Sequence, residues 1–162
     1  MRPVLIALAA FVAMEPITAL VHRAVMHGAG MVLHRSHHRR VKPGESPRRL
    51  EANDVFPVVF AAVVMLGLAV GFNVDGWSVL VPIGVGVTGY GAAYALVHDV
   101  YIHQRLGWFG GRRLPVFEQL AAAHRRHHDE GGAPYGMLVP LPVRRAQVAR
   151  SGSRPSHEPV ES

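Results

Sequence analysis

The chain contains no cysteine among its 162 residues, and this absence excludes several classes of site at once. Disulfide bonds, iron–sulfur clusters and cysteine-ligated zinc sites all require cysteine. A Gly-rich dinucleotide-binding fingerprint and a haem-attachment motif are also missing. If the chain carries out redox chemistry, its reducing electrons must therefore come from a separate protein.

Charged residues are also absent from long stretches of the sequence. Of the 17 lysines and arginines, none lies between Arg49 and Arg105, and Glu15 is the only acidic residue within the long apolar runs. The chain is 49% hydrophobic and carries a formal net charge of +6, a combination that indicates a membrane protein with one strongly basic side. A basic soluble protein that binds nucleic acid would leave the apolar runs unburied, so we expect no nucleic-acid partner.

Three apolar runs are long enough to cross a lipid bilayer, which requires about 20 residues: Pro3–Val21, Val55–Asn73 and Trp77–Val97. The first run follows Arg2, as a signal peptide would, but it continues without a convincing cleavage site, so we expect a membrane span. A turn at residues 73–76, which contains no lysine or arginine, joins the second and third runs into a hairpin. The first and third runs then end on the same side of the membrane, which the positive-inside rule makes cytoplasmic.

A fourth helix is predicted from Pro115, after an interfacial connection at residues 106–113. One stripe of this helix is formed by Phe117, Leu120, Ala121, His124, His127 and His128, whereas Glu118, Arg125 and Arg126 point elsewhere. The predicted fold is an all-α integral membrane helical bundle, with three spans and a fourth interfacial or membrane-dipping helix. Residues 1–143 form the membrane domain, and residues 144–162, which include His157, form a disordered polar tail.

Ten of the 11 histidines fall into two copies of the same pattern, HxxxxH followed by HxxHH. Side chains three and four residues apart share a helix face, so each HxxHH motif predicts three imidazoles directed at a common centre. Histidines five apart on an α-helix are separated by about 140°. The HxxxxH pairs therefore serve different metals, or the helix is distorted between them. The ten candidate ligands are His22, His27, His34, His37, His38, His98, His103, His124, His127 and His128.

This histidine content predicts a metal centre. Neutral imidazole suits zinc, copper, iron and nickel, and a structural zinc ion needs only about four ligands. Ten histidines therefore indicate two metals, with some positions in an outer shell; the alternative is solvated histidines at a basic membrane surface. Four further residues are candidate outer partners. Glu15 lies seven residues before His22 on the same helix face, Asp99 adjoins His98, and Asn53 and Asp54 precede the second span, where they also suit helix capping.

The four motifs resemble those of the integral-membrane fatty acid hydroxylase and sterol desaturase superfamily. The segments MEPITALVHRAVMHG, LHRSHH, LEANDVFPVVFA, HDVYIHQR and HRRHH are similar to those of its bacterial β-carotene hydroxylase branch, over most of residues 14–140. The resemblance implies a non-haem di-iron monooxygenase of the bacterial inner membrane, with the ten motif histidines as ligands and dioxygen as co-substrate. It also implies a lipophilic carotenoid that enters from the membrane lipid, and a separate electron donor such as ferredoxin with its reductase.

Two alternatives share these features. Another enzyme of the superfamily, acting on a sterol, an acyl lipid or a ketocarotenoid, would carry the same motifs. A membrane metal transporter or sensor would also bind metal through histidines. Transport favours ligands along a path at mid-membrane, whereas these histidines follow the ends of the predicted spans.

Overall fold

The computed structural model describes residues 1–39 and 49–139, and these residues form helices joined by turns, without β-strands. The α-helices are α1 (Arg2–Val21), α2 (Met31–His34), α3 (Val55–Asn73), α4 (Leu80–Ala95) and α5 (Pro115–Glu130). A π-helical segment at His22–Ala29 continues α1, another at Leu96–Ile102 continues α4, and a 3₁₀ turn at Ala52–Asp54 precedes α3. The all-α prediction is confirmed, whereas the predicted polar tail lies outside the described residues.

Three of these helical stretches are long and apolar enough to cross a membrane: Arg2–Ala29, Ala52–Asn73 and Leu80–Ile102. The predicted start of the third span at Trp77 is wrong. The chain is still turning there, because Gly76 has a positive φ of 83° and the Leu80 N–H donates to the Trp77 carbonyl at 2.9 Å. Many apolar side chains on α3 face outward, as Val58, Val63 and Leu66 do, each more than 60% exposed. Such faces are stable only against lipid or another protein.

Helix α4 lies at the centre of the bundle, packed against both α1 and α3. Glycine permits this close packing. A Cβ atom at Gly86 would overlap the Ala7 carbonyl oxygen and lie 3.0 Å from the Ala10 Cβ, and a Cβ at Gly84 would overlap the Leu68 side chain. Small residues commonly allow membrane helices to approach in this way, because lipid offers no hydrophobic driving force between them.

Replacing Gly86 with alanine is expected to destabilise the bundle by about 1–3 kcal/mol, because the added methyl group meets the α1 backbone and forces the two helices apart. Thermal unfolding of the detergent-solubilised protein measures the effect. Gly91→Ala is the matched control on the same helix, since a Cβ there has no neighbour within 4 Å. Equal melting temperatures for the two variants would show that α1 and α4 do not depend on this contact.

The two π-helical segments contain the HxxxxH pairs. In a π-helix each N–H donates to the carbonyl five residues earlier, so residues five apart lie on nearly the same face. The His103 N–H donates to the His98 carbonyl at 3.0 Å in this way, and the Gly30 N–H donates to the Val25 carbonyl at 2.8 Å. Helix distortion, one of the two interpretations of the HxxxxH spacing, is confirmed. It turns both imidazoles of each pair toward the interior.

Helix α5 begins at Pro115 as predicted and directs its histidine stripe inward. Ala121, His124 and His127 are buried, whereas Arg125 and Arg126 on the outer face are exposed. Glu118, which was predicted to point away from this stripe, contacts a different part of the bundle. Its carboxylate accepts a hydrogen bond from the Tyr101 hydroxyl at 2.6 Å, which attaches the first turn of α5 to the π-helical end of α4.

Candidate metal centre

The ten motif histidines converge at one end of the bundle, where the π-helical segments end and α3 begins. Nine of them form two compact groups, in each of which the candidate ligand atoms all lie within 4.8 Å of one another. The five-histidine cluster contains His22, His27, His34, His38 and His127. The four-histidine cluster contains His37, His98, His103 and His124.

Each HxxHH motif is divided between the two clusters, so the prediction that its three histidines share a common centre is wrong. In the first motif, α2 ends at His34 and the chain turns, with the His37 N–H donating to the His34 carbonyl at 2.9 Å. This turn directs His37 into the four-histidine cluster, while His34 and His38 remain in the other. In the second motif, α5 stays helical and lies between the clusters, so its histidines diverge.

His128 lies between the two clusters and belongs to neither group. Its ring centroid is 4.5 Å from that of His38 on one side and 4.4 Å from that of His124 on the other. Its Nε2 atom is buried without a hydrogen-bond partner among the described residues. A buried nitrogen of this kind is costly unless something binds it, and its position is central to both clusters.

The imidazoles in each cluster face one another through their Nε2 atoms. In the five-histidine cluster, the His34 Nε2 lies 3.1 Å from that of His22 and 3.0 Å from that of His38. In the four-histidine cluster, the corresponding distances are 3.0 Å between His98 and His37 and 2.9 Å between His103 and His124. Several ring nitrogens therefore converge on a small volume.

The opposite ring nitrogens, Nδ1, contact acceptors outside the clusters. His22 Nδ1 lies 3.1 Å from the Tyr135 carbonyl oxygen, and His34 Nδ1 lies 2.7 Å from the Asn53 Oδ1. His127 Nδ1 contacts the carbonyl oxygen of Gly132. An imidazole that donates from Nδ1 has a lone pair on Nε2, so these acceptors select the tautomer that binds metal.

Burial also keeps the imidazoles neutral. Outside the membrane spans, desolvation lowers the pKa of His34 to about 4, that of His38 to about 3 and that of His128 to about 2. Neutral imidazole is the form that binds a metal ion.

Three features of the site are those expected where cations bind. The Nε2 lone pairs face one another, the Nδ1 contacts fix the tautomers, and the His128 Nε2 has no hydrogen-bond partner among the described residues. Without a cation, nitrogen lone pairs about 3 Å apart would repel one another, and the buried His128 Nε2 would remain unsatisfied. An all-imidazole set with carboxylate and carbonyl outer partners suits iron and the other late first-row metals. The site can therefore hold metal ions at two adjacent positions.

Two of the four predicted outer partners contact a histidine directly. Asn53 is buried and contacts His34, and Asp99 Oδ1 lies 3.0 Å from the His98 Nδ1. Sequence reasoning missed Glu51, whose Oε2 lies 3.2 Å from the His37 Nδ1. The sequence could have indicated Glu51, because it lies two residues before Asn53 in the same turn.

Asp54 is connected to the histidines through Glu51, which contacts His37. It occupies the N-cap position of α3, but its carboxylate does not cap that helix. It accepts the Glu51 N–H at 2.9 Å and forms a bidentate pair with Arg105, with distances of 2.6 and 2.8 Å. Arg105 also lies 3.3 Å from Asp99, so it links two groups that lie behind the four-histidine cluster, Asp54 with Glu51 and Asp99. Hydrogen bonding to Asp54 raises the pKa of Arg105, which keeps this link charged.

Glu15 does not contact His22 as predicted. Its carboxylate instead accepts the Tyr90 hydroxyl at 2.6 Å and the backbone N–H groups of Met137, Leu138 and Val139. It is therefore bound to the segment that follows the last histidine motif.

An apolar cavity of about 450 Å³ lies between α5 and the end of α4. Its lining includes Leu96 and Val97 from the π-helical end of α4, Phe117 and Leu120 from α5, and Leu138. Val97 directly precedes His98, and Leu120 lies one helical turn before His124. The cavity therefore adjoins the elements that supply the four-histidine cluster, and its size is typical of sites for small organic molecules.

Comparisons with known proteins give several relatives that are named β-carotene hydroxylases. The β-carotene hydroxylase of Pseudescherichia vulneris is 41% identical over 140 residues, covering 83% of this chain and 74% of that relative. The β-carotene hydroxylase of Pantoea ananas is 37% identical over 159 residues, covering 93% of this chain and 86% of the relative. The chloroplastic β-carotene hydroxylase 1 of Capsicum annuum is 36% identical over 141 residues, but the match spans only 42% of its length.

No solved structure matches the chain significantly. The fatty acid hydroxylase family model matches residues 7–142, which include all four histidine motifs and every helix except the first turn of α1. The resemblance predicted from the motifs is confirmed, and the chain belongs to the fatty acid hydroxylase family.

Proposed function

We propose that this protein is a membrane-bound carotenoid hydroxylase that adds 3-hydroxyl groups to β-ionone rings, converting β-carotene to β-cryptoxanthin and then to zeaxanthin. The observation that carries the proposal is the pair of adjacent histidine clusters beside an apolar cavity, in a chain whose bacterial relatives are named β-carotene hydroxylases. A carotenoid is insoluble in water and resides in lipid, which accounts for a catalytic site built on membrane helices.

The proposed cofactor is a pair of iron ions, one at each histidine cluster, with His128 available to both. When bound, the iron ions supply the activation of dioxygen and the attack on an unreactive ring C–H bond. The chain contributes ligand nitrogens, the acceptors that fix their tautomers and a buried apolar setting. No side chain is needed as nucleophile or general base. The cavity residues Phe117, Leu120 and Leu138 would hold the ring in place and exclude water from it.

The proposed location is the bacterial inner membrane, with the histidine face in the cytoplasm. All lysines and arginines except Arg2 lie in segments that connect to this face, and the positive-inside rule places such segments in the cytoplasm. The proposed electron donor is a ferredoxin with its reductase. Arg125 and Arg126 are exposed on the outer side of α5, beside the clusters, where they suit an acidic protein partner.

Pigment analysis in bacteria that accumulate β-carotene tests the function. We expect the intact chain to yield β-cryptoxanthin and zeaxanthin, and a variant with His34, His37 and His38 replaced by alanine to yield neither at equal expression, because it lacks ligands of both clusters. If β-carotene persists with the intact, iron-loaded protein and a competent electron donor, the carotenoid assignment is wrong. Sterol, acyl-lipid and ketocarotenoid substrates would then be tried.

A further inference from the structure

Glu15 is an acidic residue in an otherwise apolar membrane helix, and within residues 1–39 and 49–139 its carboxylate accepts hydrogen bonds from four donors. These donors are the Tyr90 hydroxyl on α4, at 2.6 Å, and three consecutive backbone N–H groups from residues 137–139, at 2.8 to 3.2 Å. Successive N–H groups of this kind form a cradle for an anion. A carboxylate in a membrane span is costly, so contacts that stabilise it indicate a specific role.

The cradle requires a glycine at position 136. A Cβ atom on Gly136 would lie 2.6 Å from the Glu15 Oε1 and 3.1 Å from the Val139 carbonyl oxygen. Any larger residue would therefore displace the carboxylate or the segment, and either change would weaken the cradle.

The segment that Glu15 holds contacts the metal centre. The Tyr135 carbonyl accepts the His22 Nδ1–H at 3.1 Å, and the Tyr135 ring lies 5.3 Å from the rings of both His27 and His127. The same short segment therefore packs against three members of the five-histidine cluster.

The segment also forms part of the apolar cavity, because Leu138 is one of the lining residues. The Leu138 N–H lies 3.0 and 3.2 Å from the two carboxylate oxygens of Glu15. This contact fixes the backbone from which the Leu138 side chain projects. Met137 beside it is only 3% exposed. Residues 135–139 are thus a wall shared by the five-histidine cluster and the cavity.

We propose that Glu15 is a positioning residue: it holds residues 135–139 as this shared wall and thereby aligns the substrate ring with the metal centre. Glu15 acts through the segment, because within the described part of the chain it forms no hydrogen bond to a histidine and does not line the cavity. The proposal rests on the proposed carotenoid hydroxylase function, because it assigns the cavity to the substrate of that reaction.

Spin labelling tests the attachment without any substrate. The chain has no cysteine, so Val139→Cys provides a single labelling site on the segment, at a position that is 55% exposed. We expect a nitroxide there to move faster in Glu15→Gln and in Gly136→Ala. The glutamine amide presents donors to the N–H groups, and the added methyl group displaces the cradle. A label at Leu106→Cys, which is 53% exposed in another loop, should be unaffected.

Kinetics and iron analysis test the consequence. In both variants we expect kcat/KM for β-carotene to fall by roughly 10- to 100-fold, because small errors in placement slow a reaction that depends on alignment. Iron content and the iron absorption spectrum should match those of the unsubstituted protein. Gly67→Ala is the matched glycine control, since a Cβ there has no neighbour within 4 Å.

The outcomes separate this proposal from the proposed function. A label at position 139 that stays immobile in both variants, an unchanged kcat/KM, or a loss of iron in proportion to the loss of activity would each overturn the positioning role. If the unsubstituted, iron-loaded protein does not hydroxylate β-carotene, the proposed function is wrong. The label mobility then decides alone whether Glu15 holds the segment.

Discussion

Replacing His124 and His127 separately by alanine is expected to remove a different iron ion in each case, although the two residues lie only one turn apart on α5. His124 belongs to the four-histidine cluster and His127 to the five-histidine cluster. Each variant should retain about one iron ion per chain, whereas the proposed di-iron centre of the unsubstituted protein would hold about two, one for each cluster. Hydroxylation should fall by at least about 100-fold in both, since even outer partners of a metal cost 10- to 100-fold.

Iron analysis combined with Mössbauer spectroscopy of ⁵⁷Fe-loaded protein measures this result. The retained iron should give a different spectrum in the two variants, because one iron remains in each cluster. His157→Ala is the control, as the histidine outside the four motifs. Identical spectra with equal iron loss in both variants would contradict the division into two sites, and full activity in either would contradict a shared centre.

The division between clusters also shows where sequence reasoning succeeds and fails. The histidine motifs, the three spans and the stripe on α5 follow from periodicity and composition, which are local properties. The assignment of each HxxHH motif to one centre failed for two different reasons, because the first motif does not stay helical and the helix that carries the second lies between the two clusters. In the first motif the helix ends at His34, and the following turn sends His37 to the other cluster.

The outer contacts were harder to predict because their partners are distant in the sequence. Asp99 was found because it adjoins His98, and Asn53 because it belongs to a recognised segment. The Tyr135 carbonyl contacts His22 and the Gly132 carbonyl contacts His127. Every residue has a backbone carbonyl, so the amino-acid sequence does not indicate which of them contacts a histidine. Glu15 was recognised as unusual, but its partners lie 75 to 124 residues away, so its role required the folded chain.

The position of the clusters has a physical basis in the π-helical segments. An α-helix would direct histidines five apart to different sides, and one of each pair would face lipid, where an imidazole gains no partner. The wider π turn brings both rings of each pair inward at the ends of α1 and α4. Neutral ligands can then gather in a largely buried site at the ends of two helices long enough to cross a membrane, next to an apolar cavity.

Asn53→Leu is expected to weaken iron binding at the five-histidine cluster by about 10- to 100-fold. Asn53 is buried, and its Oδ1 accepts the His34 Nδ1–H at 2.7 Å. Leucine has a similar size but no acceptor, so the proton on the His34 ring can move to Nε2 and remove the lone pair that faces His22 and His38. Asn53→Asp retains an acceptor oxygen at the same place and should bind iron within a few-fold of the unsubstituted protein.

Competition with a chelator of known affinity measures the iron that each variant retains. Asn73→Leu is the matched control: it lies at the other end of α3, where the amide is exposed and donates to the Ala69 carbonyl at 2.7 Å. The decisive comparison is between leucine and aspartate at position 53. If both lose iron equally, side-chain volume at this position matters and the hydrogen bond to His34 does not. If only the leucine variant loses iron, and only from the five-histidine cluster, then the hydrogen bond from His34 to Asn53 fixes the tautomer of His34. The affinity of the five-histidine cluster for iron then depends on that tautomer.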